Sequence, residues 1–218
     1  GLLEIFQTKA GAEHARYVVE KAHELGLTDT ELLDYEALQR LEPQAKINAL
    51  GAIFFRCDAH LYPNKLMQQL IAHLEQKGVR LQTNEEVIGF ENSNGHITKV
   101  ITAANGYAAD AVIVAGGSWS RELAAKMNVK IPLVPGRGYS VTLEDTPYRI
   151  NYPAILVEGK VAMTPMDGNK IRFGGTMEIT SVKTPPRMNR VQGILHSVKR
   201  FFPEFDVPLP APDKIWYG

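Results

Sequence analysis

The sequence predicts a mixed α/β fold, and three observations lead there. Before Pro132, short apolar runs rich in β-branched residues alternate with segments of helical spacing. In the middle of the chain, Asn94-Gly95 and Asn105-Gly106 read as hairpin turns of a β-meander. After Pro132, β segments follow one another without helices between them, which favours a mixed or antiparallel sheet.

Leu2 to Thr8 reads as a strand. Ala12, Ala15, Val19, Ala22 and Leu25 then recur at helical spacing, with Gly26 as the stop. Asp34 is placed to cap a short helix carrying Leu38 and Leu41, which Pro43 ends. Ala49 to Cys57 is extended. Pro63 suits the first position of a helix whose apolar face is Leu66, Met67, Leu70, Ile71 and Leu74, with Gly78 at its end. Val79 to Leu81 reads as a strand. The meander comprises Val87 to Glu91, Ile97 to Thr102 and Tyr107 to Ala109. Later strands are expected at Arg137 to Leu143, Ala154 to Val157, Val161 to Thr164 and Ile171 to Thr176. Glu158-Gly159 and Asp167-Gly168-Asn169 supply turns. Val191, Ile194, Leu195, Val198 and Phe202 form a last helical face, followed by a connector holding Pro208, Pro210 and Pro212.

Composition narrows the function. Lys+Arg equals Asp+Glu at 24 each, so the footprint of a nucleic-acid binder is absent. No apolar run approaches the roughly 20 residues of a membrane span. Cys57 is the sole cysteine, which excludes an intrachain disulfide and a multi-thiolate zinc site, and it reads as a small buried hydrophobe. His14, His23, His60, His73, His96 and His196 are scattered without His-x-x-x-His spacing, so no metal site is expected. Gly116-Gly-Ser-Trp-Ser120 lacks the closing glycine of a serine-hydrolase elbow. Glu85 and Glu86 read as a solvated charge pair. No catalytic acid, base or nucleophile is assigned.

The densest signal runs from Ala111 to Leu123. Ala111 to Val114 reads as a buried parallel strand. Ala115, Gly116 and Gly117 form a small-residue turn where backbone can approach a large ligand. Trp119 to Met127 reads as a helix capped by Ser118. This segment, the run Pro135-Gly-Arg-Gly-Tyr-Ser-Val-Thr142 and the run Lys170-Ile-Arg-Phe-Gly-Gly-Thr-Met-Glu-Ile179 resemble, in that order, the FAD-dependent D-amino-acid oxidase superfamily. Within it they are similar to the bacterial D-amino-acid dehydrogenases. The resemblance runs from about Gly1 to Gly218. Two elements of the pattern are missing. No Gly-x-Gly-x-x-Gly follows a first strand, since Gly136-x-Gly138 continues to Val141. The carboxylate-binding Arg that follows Trp-x-Gly in the family would lie beyond Trp216-Tyr217-Gly218. The chain therefore reads as the middle of a longer enzyme, expected neither to hold FAD tightly nor to turn over substrate alone.

The resemblance implies a partial, Rossmann-like FAD-binding domain at residues 51–131. Residues 1–50 and 132–218 would together form a substrate domain. It places Val87, Ala115, Gly116, Gly117 and Trp119 against FAD, with Val87 near its adenine end and acting through its backbone. It brings Arg137 and Tyr139 towards the flavin ring, with Tyr139 as a substrate contact. The substrate-facing Tyr of related glycine oxidases falls at Ala162 in this register. The residues alone also admit plainer readings: an ordinary turn at Gly116-Gly117, a solvated Arg137, and a Tyr139 that fills space in the sheet. The implied activity is oxidation of a D-amino acid, or similar small amine, to an imine and then a keto acid, in amino-acid catabolism. Electrons would pass to the respiratory chain or to O₂. The implied location is cytoplasmic or peripheral to the inner membrane. The alternatives are a glycine/sarcosine-type amine oxidase, or a folded module without catalysis.

Overall fold

Apolar runs and helical stripes resolve into elements that the computed structural model describes over all residues, 1–218. In chain order they are β1 (Leu2–Phe6), α1 (Lys9–Glu24), β2 (Thr30–Asp34), α2 (Tyr35–Leu41), β3 (Gly51–Phe55) and α3 (Pro63–Gln76). The meander β4 (Val87–Ser93), β5 (His96–Thr102) and β6 (Gly106–Ala108) follows, then α4 (Ser120–Ala125). The last elements are β7 (Gly136–Leu143), β8 (Ala154–Leu156), β9 (Val161–Met166), β10 (Lys170–Ile179), α5 (Met188–Phe201) and β11 (Ile215–Tyr217). The chain divides into two compact units. The larger holds Gly1–His60, Gly136–Glu178 and Thr184–Gly218, and the smaller holds Leu61–Pro135 and Ile179–Lys183.

In the larger unit, eight strands form one sheet in the order β11-β7-β10-β9-β8-β1-β3-β2. The sheet is mixed: β1 pairs β8 in parallel and β3 antiparallel. One face is closed by α5, whose Val191, Ile194, Leu195, Val198 and Phe201 are buried with Tyr139, Val141, Met163 and Phe173 of the strands. Each such side chain contributes about 1.5–3 kcal/mol by leaving water. On the other face α1 packs Ala15 against Phe6 and Ile53. Thr8 starts α1 by accepting the Gly11 N–H, and Glu158 accepts the N–H groups of Gln7 and Thr8.

The expected boundary at Gly51 lies inside this unit, because β3 hydrogen-bonds between β1 and β2 and so belongs to their sheet. Two of its strands, β2 and β11, have no counterpart in the sequence reading. β2 is a five-residue stretch whose buried residues, Thr30 and Leu33, do not alternate with exposed ones, and β11 is a three-residue strand after a proline-rich connector. Both are too short for periodicity to register.

The smaller unit holds the meander, in the order β4-β5-β6. Asn94 and Gly95 both take positive φ, 51° and 81°, as a tight hairpin turn requires. The second turn departs from expectation. Thr102 donates its N–H to the Asn105 carbonyl, so Ala103 and Ala104 form the turn and Gly106 already pairs with Ile101. The strands expected at residues 79–81 and, as a parallel strand, at 111–114 are not strands. They lie outside both sheets, and Ile113 is 92% exposed. A parallel strand needs a neighbour on which to build its ladder, and no strand of this chain lies beside them. For the same reason α3 forms as expected, from Pro63, yet leaves Leu66, Met67, Leu70, Ile71 and Leu74 exposed. The fold class stands: mixed α/β, with a partial Rossmann-like unit carrying a meander and a mixed, largely antiparallel sheet.

Candidate functional site

In the smaller unit, the Gly-Gly corner is built differently from expectation. Gly116 has φ −80°, and Gly117 supplies the positive φ of 51°. Gly117–Trp119 is one turn of 3-10 helix, closed by the Trp119 N–H on the Gly116 carbonyl at 2.9 Å. The α-helix therefore begins only at Ser120, and Ser118 is not its cap. Ser118 sits inside the turn because Gly117, in the left-handed region, bends the chain before helical geometry starts. The corner is accessible: Ala115 and Trp119 are exposed, and a Cβ on Gly117 would meet nothing within 4 Å. A Cβ on Gly116 would instead press on Leu123 Cδ1 at 2.9 Å.

Val87 opens β4, an edge strand of the meander, opposite Thr102. A register shift between Val87 and Gly89 bulges the chain at Ile88, whose carbonyl accepts Lys126 Nζ at 3.1 Å. That bond ties the helix leaving the Gly-Gly corner to the start of β4. Glu85 is half-buried and hydrogen-bonded rather than a free charge in solvent. Its carboxylate accepts Tyr107 Oη at 2.8 Å, Thr102 Oγ1 at 3.0 Å and Asn105 Nδ2 at 3.0 Å. The Tyr107 bond, helped by those from Thr102 and Asn105, holds its pKa below the usual carboxylate value.

In the larger unit, Tyr139 is 2% exposed and belongs to the core under α5. Its hydroxyl donates to Glu178 Oε1 at 2.6 Å and accepts the Arg187 N–H at 3.0 Å. Arg137 is buried rather than solvated, its Nη1 3.8 Å from Glu178 Oε1 and its guanidinium over the Tyr217 ring. Arg187 and Arg190 bring Nε within 3.7 and 3.6 Å of Glu178 Oε2. The Tyr139 hydrogen bond and then these three cations keep the Glu178 carboxyl below its ordinary value. With its hydroxyl engaged on both sides, Tyr139 is better placed to support the sheet than to touch a ligand. The neighbouring Arg172 donates to Ser140 Oγ at 2.9 Å and lies over the ring of Trp216, which is 59% exposed. Ala162 is exposed and pairs with Gly174. Cys57 is exposed, not buried, because it follows the end of β3 rather than lying in it.

The profile of the family described as FAD dependent oxidoreductase matches residues 1–218. This chain belongs to that family. Among its relatives, a D-amino acid dehydrogenase of Sinorhizobium medicae is 28% identical over 223 residues, covering 100% of the chain and 52% of the relative. One of Chromohalobacter salexigens is 30% identical, covering 94% and 50%. The chain thus spans about half the length of these curated relatives. A glycine oxidase structure from Geobacillus kaustophilus superposes with TM-score 0.86 at 19% identity, covering 100% of the chain and 58% of that protein. An L-proline dehydrogenase from P. horikoshii gives 0.83 at 19%, covering 93% and 55%. These likenesses show the fold.

The residues present suit the family's cofactor. Bare backbone at Gly117, with open space where a Cβ would stand, and the unpaired outer edge of β4 at Val87 leave room for the close approach that a dinucleotide needs. Glu85 reads as solvated in the sequence because its partners come from a hairpin 17 to 22 residues later. Glu178 was visible inside a motif, but nothing in the pattern showed three arginines converging on it. Among His, Cys, Asp and Glu, no group is placed to hold a metal ion. No helix is long and apolar enough to cross a membrane.

Proposed function

We propose that the protein carrying this chain is a flavoenzyme that oxidises a D-amino acid, or a similar small amine, to an imine that water converts to a keto acid and ammonia. The observation that carries the reading is that the smaller unit holds both a Gly-Gly corner open at Gly117 and an edge strand starting at Val87, in a chain of the FAD dependent oxidoreductase family. The similarity to D-amino acid dehydrogenases and the run from Pro135 to Thr142 support the amine class.

FAD, when bound, supplies the electron sink for the substrate's Cα hydrogen. Val87, Ala115, Gly116, Gly117 and Trp119 hold it, chiefly through backbone. The larger unit then binds and orients the small substrate. Tyr139 supports that unit from the core side through Glu178, and Arg172, Ser140 and Trp216 face away from the core. Electrons leave to a respiratory acceptor, with O₂ as the other outcome, and the protein works in the cytoplasm or peripherally at the inner membrane. The test is a panel of D-amino acids, glycine, sarcosine and secondary amines with a redox dye or O₂ as acceptor. Dye reduction with D-amino acids supports the reading. O₂-dependent turnover of glycine or sarcosine alone would replace it with an amine oxidase.

A further inference from the structure

We infer that Glu85 is a positioning residue for the adenine-bearing end of the cofactor, acting through Val87. This rests on the flavoenzyme reading above.

Between α3 and β4 the chain runs irregularly, and Asn84 takes a positive φ of 60° just before Glu85. This stretch has to deliver Val87 opposite Thr102, leaving the outer edge of β4 open. Glu85 gathers Thr102 from the end of β5, Asn105 from the turn and Tyr107 from β6. Thr102 is thereby held from both sides: its hydroxyl donates to Glu85 and its backbone faces Val87. The Thr102 hydroxyl also accepts the Asn105 N–H at 2.9 Å, so the clasp fixes the turn as well. On the far side, Lys126 holds the Ile88 carbonyl. Val87 is thus flanked by two side-chain tethers, and the one at Glu85 carries three hydrogen bonds to a charged acceptor, the stronger kind.

An edge strand that presents backbone to a ligand gains affinity when its conformation is set before binding, because the ordering cost is met in folding. Removing the clasp returns that freedom to the segment entering β4. The loss falls on the ligand portion that Val87 touches and spares portions held elsewhere.

The experiment measures dissociation constants of the intact apoprotein for FAD, ADP and FMN, for wild type, Glu85→Ala, Glu85→Gln and Tyr107→Phe. Glu85→Ala should weaken FAD and ADP by at least about tenfold and leave FMN near the wild-type value. Glu85→Gln keeps one acceptor oxygen and should fall between. Tyr107→Phe, which removes one donor and leaves Glu85 in place, should shift FAD and ADP in the same direction but less. Unchanged FAD and ADP affinity in both Glu85 variants overturns the inference, and so does equal weakening of all three ligands. A wild-type protein that binds none of the ligands overturns the flavoenzyme reading itself, and the inference with it.

Discussion

Tyr139 and Glu178 share a 2.6 Å hydrogen bond inside the larger unit, and the Arg187 N–H that leads into α5 closes on the same phenolic oxygen. One hydroxyl thereby joins β7, β10 and the start of α5. Tyr139→Phe keeps the ring and removes that junction, leaving a part-buried N–H and a buried carboxylate oxygen without the phenol. The expected loss of unfolding free energy is about 1–3 kcal/mol, read from urea melts. Tyr17→Phe, at an exposed ring, serves as the control and should shift stability by less than about 0.5 kcal/mol.

Glu42 predicts a pH dependence. Its buried carboxylate accepts the Asn151 and Tyr152 N–H groups at 2.7 and 2.8 Å, yet burial outweighs both bonds and pushes its pKa up from 4.5 to about 7. The folded state then binds the proton more tightly than the unfolded chain. This contribution is fully present below the unfolded pKa and is lost as pH rises through about 7. Stability should fall by roughly 3 kcal/mol at most between pH 5 and 8.5. Glu42→Gln should flatten that slope, at the expense of one N–H that then faces an amide donor. A slope identical in wild type and variant would contradict the assignment.

Much of this architecture was legible in the sequence because periodicity and turn chemistry are local. Gly26, Pro63 and Asn94-Gly95 mark their boundaries, and the apolar stripe of α5 is buried as its spacing implies. What was not legible depends on partners far along the chain. The run at residues 111–114 has the composition of a buried strand, but burial requires a neighbouring strand, and Ile113 is exposed instead. Gly116 and Gly117 were visible as a small-residue corner. Which of them takes positive φ depends on the 3-10 turn that follows, which no single residue announces. Arg137 looked solvated until Glu178 was placed beside it.

The Gly-Gly corner separates two substitutions. Gly117→Val forces a β-branched residue into the left-handed region, a strain on the order of 1–2 kcal/mol, and should lower flavin content per folded protein. Ser118→Ala removes a hydroxyl that caps nothing, so the cost of about 1 kcal/mol typical of a lost N-cap should be absent. The measurements are flavin absorbance against protein concentration, and thermal melts.

The exposed face of α3 predicts self-association of the 218-residue chain when it is prepared by itself. Replacing Leu66, Leu70 and Leu74 with Gln should lower the apparent mass in a concentration series by size-exclusion chromatography. The melting temperature should hardly change, since none of the three is buried.

The central claim is that the protein carrying this chain uses flavin to oxidise an amine. The most direct measurement is the visible spectrum of the purified intact protein under anaerobic conditions, before and after addition of a D-amino acid. The prediction is a flavin absorption band that bleaches on addition of the D-amino acid and returns when a redox dye is supplied. A protein without flavin absorbance after loading with FAD, or a flavin band that no amine in the panel bleaches, would contradict it.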